Sequence, residues 1–384
     1  MSDWRRCTLR DVVSILGDGL HGTPEFDSNG EFHFINGNNL INGRIVIKPE
    51  TKRVPITEYQ KYKKDLNERT ILVSINGTLG NIAVYRGEKV ILGKSACYFN
   101  INDDVDKHFI KYVVSTETFK DYIHRFANGT TIKNVSLKAM RDYPFDLPPI
   151  EEQVEIGHTL RALDDKIELN AKINDNLEQQ AQAIFKSWFV ENAPAEWDYV
   201  ELGSITTEIR TKVKEKRIPV LSAVKTGELI LSEEYFTKQV FSKDIGKYII
   251  VEPSEFAYNP ARVNIGSLGI NSFDYAGCVS PVYVAFRSIP EYHNFLSLFF
   301  KSPNFQEEVK VRASGSVRQS LNYGDFSLIQ VLLPSIDVIR KFNYQFEGIL
   351  EAKKRFNEEI AKLVELRDSL LPRLMSGELS VADI

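Results

Sequence analysis

The sequence predicts an α+β protein. It has two α/β domains separated by two long antiparallel helices that form a coiled-coil rod, and an internal pseudo-two-fold duplication relates its halves. Three observations predict this. Residues 109–150 align on residues 295–336 without a gap, at an offset of 186. Each copy runs on into a heptad pattern, and each is preceded by short apolar runs broken by Gly and Asn.

The repeat places Phe109 on Phe295, Phe119 on Phe305, Gly129 on Gly315, Pro148 on Pro334 and Ile150 on Ile336. At nearby offsets Trp4 and Leu9 match Trp197 and Leu202, and Gly80 matches Gly266. One scattered match is chance; a gapless run of Phe, Gly, Pro and Ile is not. The strand runs are TILVSI, IAVYRG and KVILG in the first half, and KYIIVE, EFAYN and SPVYVAF in the second. A helical piece follows (109–126 and 293–312), then a Gly-Ser/Thr turn, a proline and a long helix.

The first long helix is expected from Glu151 to Phe189. Alternate steps of four and three trace the seam Ile156, Leu160, Leu163, Ile167, Asn170, Asn174, Leu177, Ala181 and Ile184. The second seam is Phe342, Phe346, Ile349, Lys353, Phe356, Ile360, Leu363, Arg367 and Leu370. Pro148, Pro149 and Pro334 lie just before the helix starts, where proline is tolerated. Glu151, Glu152 and Asp337 suit the positive helix ends. Each helix is at most ~58 Å long. Asn170, Asn174, Lys353 and Arg367 are read as fixing register at a cost in stability. The core of an ordinary helical bundle is the other reading of the same seams.

Composition bounds the class. A chain of 384 residues, 43% hydrophobic and 11% aromatic, can bury sizeable cores, which excludes disorder as its main state. The domains are expected at 1–146, 147–192, 193–333 and 334–384. Lys and Arg total 48 against 52 acidic residues, so no global basic field points to nucleic acid. Residues 151–191 carry four basic and nine acidic groups, which suits solvent or a protein partner better than a phosphate backbone. No run of about eighteen apolar residues is present, and the start has no apolar signal core, so no membrane partner is expected. Three scattered cysteines, Cys7, Cys97 and Cys278, suit a reducing cytoplasm.

Catalytic signatures are missing. There is no GxxxxGK[ST], and no GxGxxG between strand and helix. The six histidines lack metal-ligand spacing. Asp146-Leu147-Pro148-Pro149-Ile150 imitates the tetrapeptide of amino-methyltransferases, but Leu147 intervenes and Ile150 replaces the aromatic residue. Neither catalytic nor metal-binding residues are expected.

Taken together, these features resemble the specificity subunits of type I restriction–modification systems. The resemblance covers essentially the whole chain. Its most specific parts are 126–189, opening FANGTTIKNVSLKAMRDYPFDLPPIEEQ, and LVELRDSLLPRLMSGEL at 363–379. It implies two target-recognition domains, each reading one half of a split site in double-stranded DNA. It implies that the helix pair sets the spacer and docks two methyltransferase subunits, with restriction subunits joining to cut DNA. S-adenosylmethionine and ATP with Mg would bind to those partners, and no cofactor to this chain. Leu333-Pro334-Ser335-Ile336-Asp337 lacks the Glu-Gln of Glu152-Gln153, so docking at that end is expected to differ in detail.

Base edges are read by polar side chains on exposed loops. The first-half candidates are Asn76, Thr78 and Asn81, with Asn128, Thr130, Lys133 and Asn134. The second-half candidates are Arg262, Asn264 and Ser267, with Ser316, Arg318 and Gln319. The glycines among them also serve tight turns, and that reading stays open. Lys61, Lys63, Lys64 and Arg69, and the run Arg210, Lys212, Lys214, Lys216 and Arg217, are phosphate-contact candidates or else a solvated face. Trp188-Phe189 either seals the helix pair or anchors a partner. Two other functions fit the repeat: a protein-interaction scaffold with duplicated ligand-binding domains, and the recognition part of a DNA methyltransferase.

Overall fold

The computed structural model describes residues 4–130, 132–215, 217–235, 241–312 and 320–384. The chain divides into two compact units, Met1–Ala171 with Glu358–Ile384, and Lys172–Asn357.

In the first unit four antiparallel strands lie in the order Val13–Asp18, Ala96–Ile101, Thr70–Ser74, Ile82–Val84. The two central strands are buried throughout, so their sequences read as continuous apolar runs. Their side chains still alternate. Ile71, Val73, Cys97 and Phe99 join the cluster under the helices. Leu72, Ala96 and Tyr98 join the cluster that holds Ile35 and Leu92 of a smaller sheet. That sheet runs Arg53–Val54, Phe32–Ile35, Val90–Leu92, its last pair parallel. A hairpin, Leu40–Ile41 with Arg44–Ile45, turns on Asn42 (φ 49°) and Gly43 (φ 78°). Asn-Gly supplies the two left-handed residues such a turn needs.

The second unit repeats the four-stranded sheet as Thr206–Ile209, Val284–Ser288, Phe256–Tyr258, Leu268–Ile270. The helices repeat at the offset of the sequence repeat. Lys107–Val113 answers His293–Phe299, Glu117–Phe126 answers Pro303–Arg312, and Leu137–Arg141 answers Tyr323–Ser327. The expected single pieces 109–126 and 293–312 are thus each two helices. Thr116 restarts the first pair, its hydroxyl accepting from the Phe119 amide at 3.2 Å. In the second pair Pro303 begins a helix, where its missing N–H costs nothing.

The long helices are Ile150–Lys186 and Ile336–Met375. Ser187–Glu191 extends the first as a π-helical turn. Within each unit their segments run antiparallel. Asp164 meets Arg367 and Lys166 meets Glu359 in the first unit. Asn174 meets Asn357 and Glu178 meets Lys353 in the second. Ile156, Leu160 and Leu370 are buried in the first core, with Leu163 packed against it. Phe342 and Phe346 are buried in the second, with Ile184 and Ile349 against it. Ile167, Leu177, Phe356, Ile360 and Leu363 are half-buried. Phe189 packs edge-on against Phe342 (5.0 Å) and Phe295 (4.9 Å), and Trp188 lies 6.3 Å from Phe342, so the pair seals its core. Leu374, the repeat counterpart of Trp188, is fully buried in the first unit.

Candidate nucleic-acid interface

The strand Thr70–Ser74 ends in a loop that Ser74 shapes. The Gly80 amide donates to the Ser74 carbonyl (2.9 Å), and the Asn81 amide donates to the Ser74 hydroxyl (2.8 Å). The second predicted segment closes on itself, because Asn128 and Asn134 exchange both backbone hydrogen bonds, at 2.9 and 2.8 Å. Gly129 allows that closure. Its φ is 103°, and a Cβ there would lie 2.2 Å from the Ile132 carbonyl oxygen.

These two segments, far apart in sequence, form one platform. The Gly77 amide donates to the Lys133 carbonyl (3.0 Å), and the Val135 amide to the Ile75 carbonyl (2.8 Å). The Asn76 side-chain amide donates to Asn134 Oδ1 at 3.1 Å. Thr78, Asn128, Thr130, Lys133 and Asn134 are exposed, and Asn76 and Asn81 half-buried.

The second unit is built alike as far as it is described. The Leu321 amide donates to the Pro260 carbonyl at 3.1 Å, the counterpart of the Val135–Ile75 bond. Asn259 shapes the loop, its side chain accepting from the Ala261 amide (3.0 Å). Arg262 is exposed, Asn264 half-buried, and Ser267 buried with its hydroxyl 3.4 Å from the Ala223 carbonyl. Ser316, Arg318 and Gln319 lie outside the described residues. Ser74 and Asn259 were not singled out from sequence. Asn259-Pro260 is a turn signal that points to the second; nothing local marks Ser74.

The basic residues are dispersed. Lys61 lies 3.7 Å from Glu58 and over the Tyr62 ring, Lys63 is exposed and Lys64 half-buried. Arg69 is turned inward, its guanidinium donating to the carbonyls of Ile101, Asn102 and Val105 at 2.5–2.8 Å. Arg210 pairs with Glu208 at 2.7 Å, and Lys212, Lys214 and Arg217 are exposed. Lys216 lies outside the described residues.

One carboxylate of the first long helix ties each domain to its helix pair. Asp164 receives Lys111, the Tyr112 hydroxyl (2.7 Å) and Arg367 (3.0 Å). Burial pushes its carboxyl up, but the Lys111 charge and the three hydrogen bonds override this and hold it below the usual range. Glu178 receives Lys301 (2.8 Å) and Lys353 (2.7 Å). Among the described residues no group of three His, Cys, Asp or Glu could hold a metal ion, and no helix is long and apolar enough to cross a membrane.

Residues 1–179 match the family described as "Type I restriction modification DNA specificity domain". The chain is 23% identical to the type I restriction enzyme MjaIX specificity subunit of Methanocaldococcus jannaschii, over all of this chain and 95% of that one. It is 25% identical to the type I restriction enzyme HindI specificity subunit of Haemophilus influenzae, over 99% of this chain and all of that one. The crystal structure of a type I restriction–modification system S subunit from M. genitalium has the same fold. Its TM-score is 0.59 at 19% identity, covering 97% of this chain and 96% of that one.

Proposed function

We propose that this chain is a type I restriction–modification specificity subunit, which reads a DNA sequence in two parts and carries out no chemistry of its own. The observation that carries the reading is the stitched platform of Asn76, Asn128 and Asn134, answered in the second unit by the loop at Pro260–Ser267 tied to Leu321. Amide and hydroxyl side chains held on a rigid base suit base edges in a groove.

Residues 1–146 and 193–333 are the two reading domains. The helical parts, 147–192 and 334–384, set the spacer and dock two methyltransferase subunits, with restriction subunits joining where the system cuts. S-adenosylmethionine and ATP with Mg belong to those partners, and the assembly works in the cytoplasm. The exposed lysines and arginines near residues 61–64 and 210–217 supply phosphate contacts; Arg69, committed to three carbonyls, is a structural tie.

The test exchanges Asn76 and Asn134 for alanine in the full chain, co-expressed with its methyltransferase subunit. Loss of discrimination at about one position, worth ~1–3 kcal/mol, is expected in one half of the split site, with the other half unchanged. Equal weakening of both halves, or no change in either, overturns the assignment.

A further inference from the structure

Ile132 stands out in the first platform. It is the one exposed large apolar side chain among the described residues of 74–81 and 128–134, at 61% exposure. It is also held in place. Asn128 and Asn134 lock the base of its loop, Lys133 and Val135 tie the following residues to Gly77 and Ile75, and the bare Gly129 makes room for its carbonyl. A loop built only to turn has no need of an exposed β-branched apolar side chain.

The polar neighbours indicate what such a side chain would meet. Asn76 and Asn134 share one hydrogen bond, which uses one donor hydrogen and one acceptor lone pair. Two amides hold more than that, so the pair still offers a donor and an acceptor. In the major groove adenine presents an acceptor beside a donor, which an asparagine side chain matches. Its partner thymine presents a carbonyl oxygen and the C5-methyl group, which an apolar side chain matches. An isoleucine beside an asparagine pair therefore has the two chemistries of one A·T pair.

We propose that Ile132 is a specificity-determining residue that recognises the C5-methyl group of a thymine in the half-site read by the first domain. The inference deepens the DNA-reading function and rests on it. It assigns the recognised atom group as well as the residue.

The test replaces each thymine of the mapped site, one at a time, by deoxyuridine, which removes only that methyl group. Binding is measured with the full chain assembled with its methyltransferase subunits. The native assembly is expected to lose about fourfold in affinity at one position, the equivalent of one buried methyl-sized group. Ile132→Ala should be indifferent to the substitution at that position, and Ile132→Val should keep most of the difference. Both should keep any sensitivity at other thymines. No thymine on either strand of that half-site, a native assembly indifferent to every substitution, or an alanine variant that still senses the same methyl group would overturn the proposal. Those results leave the split-site reading standing, whereas an assembly that binds all sequences alike would remove the reading itself.

Discussion

Gln153 is 2% exposed and serves two partners, its amide donating to the Pro148 carbonyl (2.8 Å) while its Oε1 accepts from the Asp106 amide (3.0 Å). Glu152 beside it accepts from Trp4 Nε1 at 2.9 Å. The Glu-Gln pair is thus used inside the first unit. Where the second half lacks it, Tyr292 donates its hydroxyl to the Pro334 carbonyl at 3.0 Å. Tyr292 is the repeat counterpart of Asp106, so the same carbonyl is satisfied from the domain side instead of the helix side. Gly157, whose absent Cβ would lie 2.5 Å from Asp106 Oδ1, is answered by Asn343, which donates to the Glu291 carbonyl (2.8 Å). Such an exchange is invisible to alignment, because one residue's loss is made good by another at a non-equivalent position. Glu178 gives a test at this scale. Burial would raise its carboxyl, but the hydrogen bonds from Lys301 and Lys353 hold it down to about 2 against an ordinary 4.5. Its stabilisation, at most about 3 kcal/mol, is present above pH 4.5 and is lost as pH falls towards 2. Glu178→Gln should flatten that acid limb and loosen the second unit at neutral pH. Hydrogen exchange across residues 293–312 at stepped pH reads both effects; an unchanged acid limb contradicts the assignment.

The long helices were legible because their pattern is local: residues three and four apart share a face whatever the rest of the chain does. The partner across the seam is not local, and the asparagines show the difference. Asn170 and Asn174 look equivalent in the heptad, yet Asn174 donates to Asn357 Oδ1 at 2.7 Å. Asn170 is fully buried, and neither of its amide atoms has a partner among the described residues. An unmet buried amide costs about 1–3 kcal/mol. Asn170→Leu should therefore raise the unfolding free energy by that order, read as a higher urea midpoint at unchanged slope on the full chain. A lower midpoint would show that the amide is satisfied or that leucine does not fit. The sheets were legible only as runs. Val13–Asp18 pairs with Ala96–Ile101, and Phe32–Ile35 with Val90–Leu92 in parallel. Strands this short, paired across long stretches of chain, carry no local signal of partner or register.

For the whole molecule, the duplication was the strongest sequence signal, and it is why the platform of the first unit has a counterpart in the second. Four helices of each half begin at one constant offset, from Lys107 and His293 to Ile150 and Ile336. The candidate loops were legible as Gly-rich polar segments at matching positions of the repeat. Their union into one platform was not, since it depends on Gly77 meeting Lys133 and Asn76 meeting Asn134. Net charge was a poor guide, as a net −4 conceals the local basic runs near 61–64 and 210–217, and a basic run does not reveal that Arg69 is bound inward. On the proposed reading, the built loop of each duplicated domain reads one short sequence, so the site it predicts has two parts. The most direct measurement is to co-express the chain with the methyltransferase subunit encoded beside it and map the methylated bases by long-read sequencing. Two short defined sequences separated by a fixed number of unspecified bases are the expected result. One uninterrupted motif, or no methylation from a stably assembled complex, would contradict the account.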